Sequence, residues 1–89
     1  MKEKLMKIFN YFGLNNQVVK LTEESAELGV ACLSDNYLDI AEELADCMVL
    51  IKQIQYVYDV SDEEIEAIMK EKVDRTLTRI KKGYYEDHR

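Results

Sequence analysis

No proline occurs anywhere in this chain, and glycine occurs only three times. Those two residues are the usual punctuation of strands and tight turns, and both are poor helix formers. A chain of 89 residues almost without them is predicted to be all helical. Four segments carry helical periodicity. The first runs from Lys2 to Phe12, with Leu5, Ile8, Phe9 and Phe12 at helical spacing, and Gly13 stops it. The second runs from about Asn16 to Leu33, capped by Asn15 or Asn16, with Val18, Leu21, Ser25, Leu28 and Cys32 as its inner stripe. The third starts near Ser34 or Asp35 and continues to about Tyr58. The fourth starts at Ser61, which forms a capping box with Glu64, and carries Ile65, Met69, Val73, Leu77 and Ile80 as its apolar face. The tail from Gly83, which holds the single histidine, His88, is expected to fray.

The length fits one domain, spanning residues 1–89. So short a chain buries only about two-thirds of its unfolded surface, so its own core is thin. The segment Cys47-Met48-Val49-Leu50-Ile51 is apolar on every side of a helix and must be covered on every side. Three short companion helices hardly suffice for that. A second protomer is the economical cover, and deeper burial within one chain is the alternative.

Hydrophobic residues make up 47% and charged residues 34%, a globular composition. The net charge of −6 disfavours binding to a nucleic-acid backbone, which requires a basic face. It suits a divalent cation. Cys32 and Cys47 lie in apolar helical segments and read as reduced core residues. No apolar run approaches the roughly 20 residues of a membrane span, and the charged N-terminus is no signal peptide. The chain is expected to be cytoplasmic, with neither membrane nor nucleic acid as a partner.

The acids are the chemically informative residues. The second segment carries Glu23-Glu24-Ser25-Ala26-Glu27, and the third carries Glu42-Glu43-Leu44-Ala45-Asp46. Glu24 and Glu27 are three apart, as are Glu43 and Asp46, so each pair sits on one helix surface. On adjacent antiparallel helices the two pairs can surround one point. Glu24, Glu43 and Asp46 also border apolar stripes, where an ionised carboxylate is costly without a compensating charge. A divalent cation removes that cost, and an all-oxygen set suits Mg²⁺ with Mn²⁺ as a substitute. A solvated acidic face is the other reading of the same spacing, and spacing alone does not separate the two.

The order E-E-x-x-E, about fifteen residues, then E-x-x-D and an apolar run resembles the MazG-like nucleoside triphosphate pyrophosphohydrolases. The resemblance covers most of the chain and is nearest to short bacterial and phage members. It implies an all-α fold in which two protomers build a four-helix core, as a homodimer or a homotetramer. It implies hydrolysis of a (deoxy)nucleoside triphosphate between the α and β phosphates, giving the monophosphate and pyrophosphate. By position, Glu24, Glu27, Glu43 and Asp46 are the implied metal ligands, and Glu23 is an accessory acid of the catalytic set. Gln17 and Lys20 precede the acids as in many short members. A triphosphate also needs cationic contacts, for which Lys20, Lys72, Arg75 and Arg79 are the candidates. Lys82 continues that stripe as a solvated edge. No tryptophan is present to recognise a base, which leaves Tyr11, Phe12, Asn15 and Asn16 near the acids. Lys20, Glu23-Glu24 and Ala26-Glu27 also resemble the phosphoribosyl-ATP pyrophosphohydrolase pattern, although the N-terminal stretch of that enzyme is missing. A non-catalytic helical protein that binds a partner is the reading from another class.

Overall fold

The computed structural model describes residues 1–86. These form four α-helices and no strand: α1 (Lys2–Phe12), α2 (Leu14–Leu33), α3 (Tyr37–Val57) and α4 (Asp62–Lys81). The chain divides into two units, Met1–Asp59 with the first three helices, and Val60 onward with the fourth. No helix among the described residues is long and apolar enough to cross a membrane.

In the first unit, α2 and α3 form an antiparallel hairpin. Gln17 near the start of α2 bonds to Gln53 near the end of α3, and Ala31 at the end of α2 shares a depression with Asp39 at the start of α3. Helix α1 packs on both through Leu5 and Phe9. The core residues Leu5, Phe9, Ala31, Cys47 and Leu50 are joined by four buried polar ones, Gln17, Glu24, Gln53 and Gln55.

The inward stripe of α2 is Gln17, Leu21, Glu24, Leu28 and Ala31, buried or half-buried throughout. It shares Leu21 and Leu28 with the expected stripe, but the expected Val18, Ser25 and Cys32 are exposed, and Gln17, Glu24 and Ala31, each one residue earlier, take their places. Cys32 is accordingly a surface thiol, while Cys47 is a core residue. An apolar pattern cannot reveal a stripe that contains a glutamine and a glutamate. On α3 the matching inward residues are Ile40, Glu43, Cys47, Leu50 and Ile54.

The connections differ from expectation in a consistent way. Gly13 has φ 87° and ψ 162° and separates α1 from α2 by itself, its N–H donating to Phe9 O at 2.8 Å. That backbone region belongs essentially to glycine. Asn16 does not cap α2; its side chain donates back to Phe12 O at 2.7 Å, closing α1. Ser34 likewise closes α2, donating to Val30 O at 3.0 Å. Asp35 takes the left-handed conformation at φ 53°, which aspartate tolerates better than most residues. The N-cap of α3 is Asn36, whose side chain accepts from Asp39 N–H at 3.2 Å.

In the second unit, Ser61 caps α4 as expected, accepting from Glu64 N–H at 3.0 Å. The far end does not fray at Gly83. Tyr84 N–H donates to Arg79 O at 2.9 Å and Gly83 N–H to Ile80 O at 3.0 Å, with Gly83 at φ 75°. This is a Schellman closure. His88 lies outside the described residues. The face built on Ile65, Met69, Val73, Leu77 and Ile80 has only Ile65 half-buried.

Candidate metal centre

The antiparallel hairpin brings the two acidic motifs, one on α2 and one on α3, to one level. Glu24 and Glu27 come from successive turns of α2, and Glu43 comes from the facing turn of α3. One carboxylate oxygen from each of the three lies within 4.8 Å of the others. Glu24 is buried, Glu43 half-buried and Glu27 exposed, so the group runs from the core to solvent.

Lys20 pairs with Glu24, its Nζ 3.5 Å from Glu24 Oε1. Its own side chain is 57% exposed, against 12% for that of Glu24. One solvated ammonium at that distance is a weak counterweight. The carboxyls compensate by sharing a proton. A hydrogen bond to Glu24 is the main reason the Glu43 pKa is raised to about 7; burial and the charges of Glu24, Glu27 and Asp46 add to it. The same bond lowers the pKa of Glu24, against the opposing effect of burial and with help from Lys20. The Cys47 thiol beside them is pushed up by burial and then by the charges of Glu24, Glu43 and Asp46, so it stays protonated.

Glu24 Oε2 and Glu43 Oε2 are both buried, and apart from the proton the two carboxyls share, neither oxygen has a hydrogen-bond partner among the described residues. Buried carboxylate oxygens without partners are rare in folded proteins because their desolvation is costly. A divalent cation fits them on chemical grounds. The donor set is all carboxylate, which selects hard ions such as Mg²⁺ or Mn²⁺. Oxygens on opposite sides of such ions stand roughly 4–5 Å apart, matching the spread of the three glutamates.

The remaining predicted residues have distinct places. Asp46 is exposed and lies outside the three-glutamate group, but its charge acts on Glu43. It also lines a cleft of about 240 Å³ between α1, α2 and α3, together with Glu24, Lys20, Gln17 and Gln53. Ile8, Phe12, Val49 and Leu50 supply the apolar walls of that cleft. Glu23 is exposed and belongs to neither the cluster nor the cleft lining. Tyr11 stands edge-on to Phe12 at 4.9 Å and is exposed. On α4, Lys72 and Arg75 are exposed, while the Arg79 guanidinium lies 5.2 Å from the Tyr84 ring centre.

Sequence reasoning missed Gln53. Its side chain is completely buried, accepting from Gln17 Nε2 at 2.9 Å and donating to Leu5 O at 3.0 Å. Gln53 follows Leu50 by three positions on the inward face of α3, and Gln17 precedes Leu21 by four on that of α2. A glutamine in an apolar stripe was the available signal. No protein-family model, curated protein or solved structure matches this chain.

Proposed function

We propose that this protein is a Mg²⁺-dependent nucleoside triphosphate pyrophosphohydrolase of the MazG-like kind, acting as a homo-oligomer. The observation that carries the reading is the pair of buried oxygens, Glu24 Oε2 and Glu43 Oε2, that find no donor outside their own pair and converge with Glu27. Glu24, Glu27 and Glu43 would hold the ion, and Asp46, one turn beyond Glu43, would close the set. A bound divalent ion polarises a phosphoryl oxygen and lowers the pKa of a coordinated water.

The chain's own residues supply the rest. An acid of the set left free by the ion would accept the proton of an attacking water. Lys20, on the cleft side of Glu24, is placed to pair with a phosphate oxygen. Gln17 borders the same cleft. Glu23 is assigned a supporting role by resemblance alone, and Lys72, Arg75 and Arg79 are assigned as phosphate contacts by their charge and spacing. Attack at the α-phosphorus breaks the α–β anhydride and leaves the monophosphate and pyrophosphate.

Oligomerisation rests on α3. The packing of α1 and α2 buries Cys47 and Leu50 but leaves Met48, Val49 and Ile51 at 58%, 39% and 49% exposure. Leu44, Met48 and Ile51, spaced four and three apart on α3, form an exposed apolar strip that calls for a cover. The deciding experiment is a pyrophosphate-release assay over the (deoxy)nucleoside triphosphates, with Mg²⁺ and with excess chelator. Release of pyrophosphate only with metal is expected. Orthophosphate as the first product, or turnover unaffected by chelator, would overturn the assignment.

A further inference from the structure

The cleft beside the acids has a polar floor whose orientation is fixed. Leu5 O is a backbone carbonyl and can only accept, so the Gln53 amide must present its NH₂ there, as it does at 3.0 Å. The Gln53 oxygen is then turned toward Gln17 and accepts from Gln17 Nε2 at 2.9 Å. The usual ambiguity of side-chain amide orientation is removed by this relay. Gln17 is left with its oxygen outward, and that oxygen makes no hydrogen bond among the described residues. Gln17 is only 3% exposed and lines the cleft. Phe12 on α1 and Leu50 on α3 contribute apolar walls, and Glu24 joins the cleft to the carboxylate cluster.

We propose that the cleft seats the base of the nucleotide and that Gln17 Oε1 reads it by accepting from an N–H donor on the base edge. The proposal rests on the nucleotide reading above. The chemistry of the cleft matches a base, an apolar ring with polar edges, since the site offers apolar walls and one oriented acceptor. Its volume of about 240 Å³ falls below the ~300–1,000 Å³ typical of sites for whole small molecules. It suits one ring system, leaving sugar and phosphates to extend past Glu24 to the cluster. Gln53 is a positioning residue, since it holds the Gln17 amide in one orientation without touching the base. A site built around a hydrogen bond rejects ligands that lack the donor far more strongly than one built on shape.

The test compares the best nucleoside triphosphate in the hydrolysis panel with its analogue in which the edge N–H donor is deleted. The parent should prefer the natural base by at least about tenfold in kcat/KM, mostly through KM. In Gln17→Met that preference should fall below about twofold, with hydrolysis of the analogue little changed. Gln53→Met, which frees the Gln17 amide to rotate, should reduce the preference partially, and it serves if Gln17→Met does not fold. Equal losses on both substrates, or a preference that survives Gln17→Met, would overturn the proposal. A second readout needs neither metal nor turnover: titration of ¹⁵N-labelled protein with the nucleoside monophosphate should shift the Gln17 side-chain amide resonances. A shift without hydrolysis of any triphosphate supports base binding and refutes the pyrophosphohydrolase reading. Hydrolysis without a shift does the reverse.

Discussion

Glu43 faces two opposed demands. A metal ligand must be ionised, yet without metal this carboxyl keeps its proton to about pH 7 because Glu24 shares it. The folded pKa exceeds the ordinary 4.5, so the native state binds more protons than the unfolded state between those values. In chelator, this group's stabilisation is full below pH 4.5 and is lost as the pH rises through 7. Glu24 runs the other way: its lowered pKa gives a contribution present above 4.5 and lost as the pH falls. Glu43→Gln keeps a donor for Glu24 and cannot ionise. Melts in chelator should therefore show the parent losing stability from pH 5 to pH 8 and the variant losing much less. Parallel curves would show that the shared proton has no thermodynamic weight. The same substitution should abolish most activity while leaving the metal-free fold at least as stable as the parent. Mg²⁺ should raise the parent's Tm by mass action and the variant's much less; equal metal shifts in both would refute the assignment of Glu43 as a ligand. At this scale the sequence disclosed the acids, because two E-x-x-acid spacings are visible by inspection. It hid the glutamine relay, because a buried amide is recognised only by its partners, and Leu5, Gln17 and Gln53 are far apart in the chain.

Helix existence was legible and helix ends were less so, for a reason particular to this chain. Proline is absent, so the breaks depend on single residues whose side chains can serve either neighbouring helix. Asn16 and Ser34 are good N-caps by type, yet both bond backward to the preceding helix. The α1–α2 break thus falls on Gly13 alone. An added Cβ at Gly13 would meet nothing within 4 Å, so the cost of Gly13→Ala is backbone strain without any clash. It should destabilise by about 1–3 kcal/mol. Gly29 makes a matched control. It lies inside α2, is exposed, and its added Cβ would also meet nothing. Gly29→Ala should stabilise by about 0.5–1 kcal/mol. Urea unfolding of the two variants should move the midpoint in opposite directions, and a common direction would contradict the assigned role of the Gly13 backbone.

At the scale of the whole molecule the open demand is the cover of α3. The run from Cys47 to Ile51 announced a helix that needs apolar neighbours on all sides, and α1 and α2 supply them on one side only. Periodicity alone could not say which residues face the protomer's own core, because all five are apolar. Leu50 is 3% exposed, so Leu50→Asp would unfold the protomer by burying an unpaired charge and would report nothing about assembly. Met48 and Ile51, at 58% and 49% exposure, are the informative positions. If this strip were solvated, Met48→Asp would change stability by no more than about 0.5 kcal/mol, as exposed substitutions do. If a second copy covers it, the new charge is desolvated at the interface, and association weakens by tenfold or more. Light scattering at micromolar concentration should find the parent at least dimeric and Met48→Asp shifted toward monomer. The parent's Tm should also rise with protein concentration, because association stabilises by mass action. A parent that scatters as a monomer with a concentration-independent Tm would mean that the strip is covered within one chain. A parent that stays oligomeric in both Met48→Asp and Ile51→Asp would move the interface to another face.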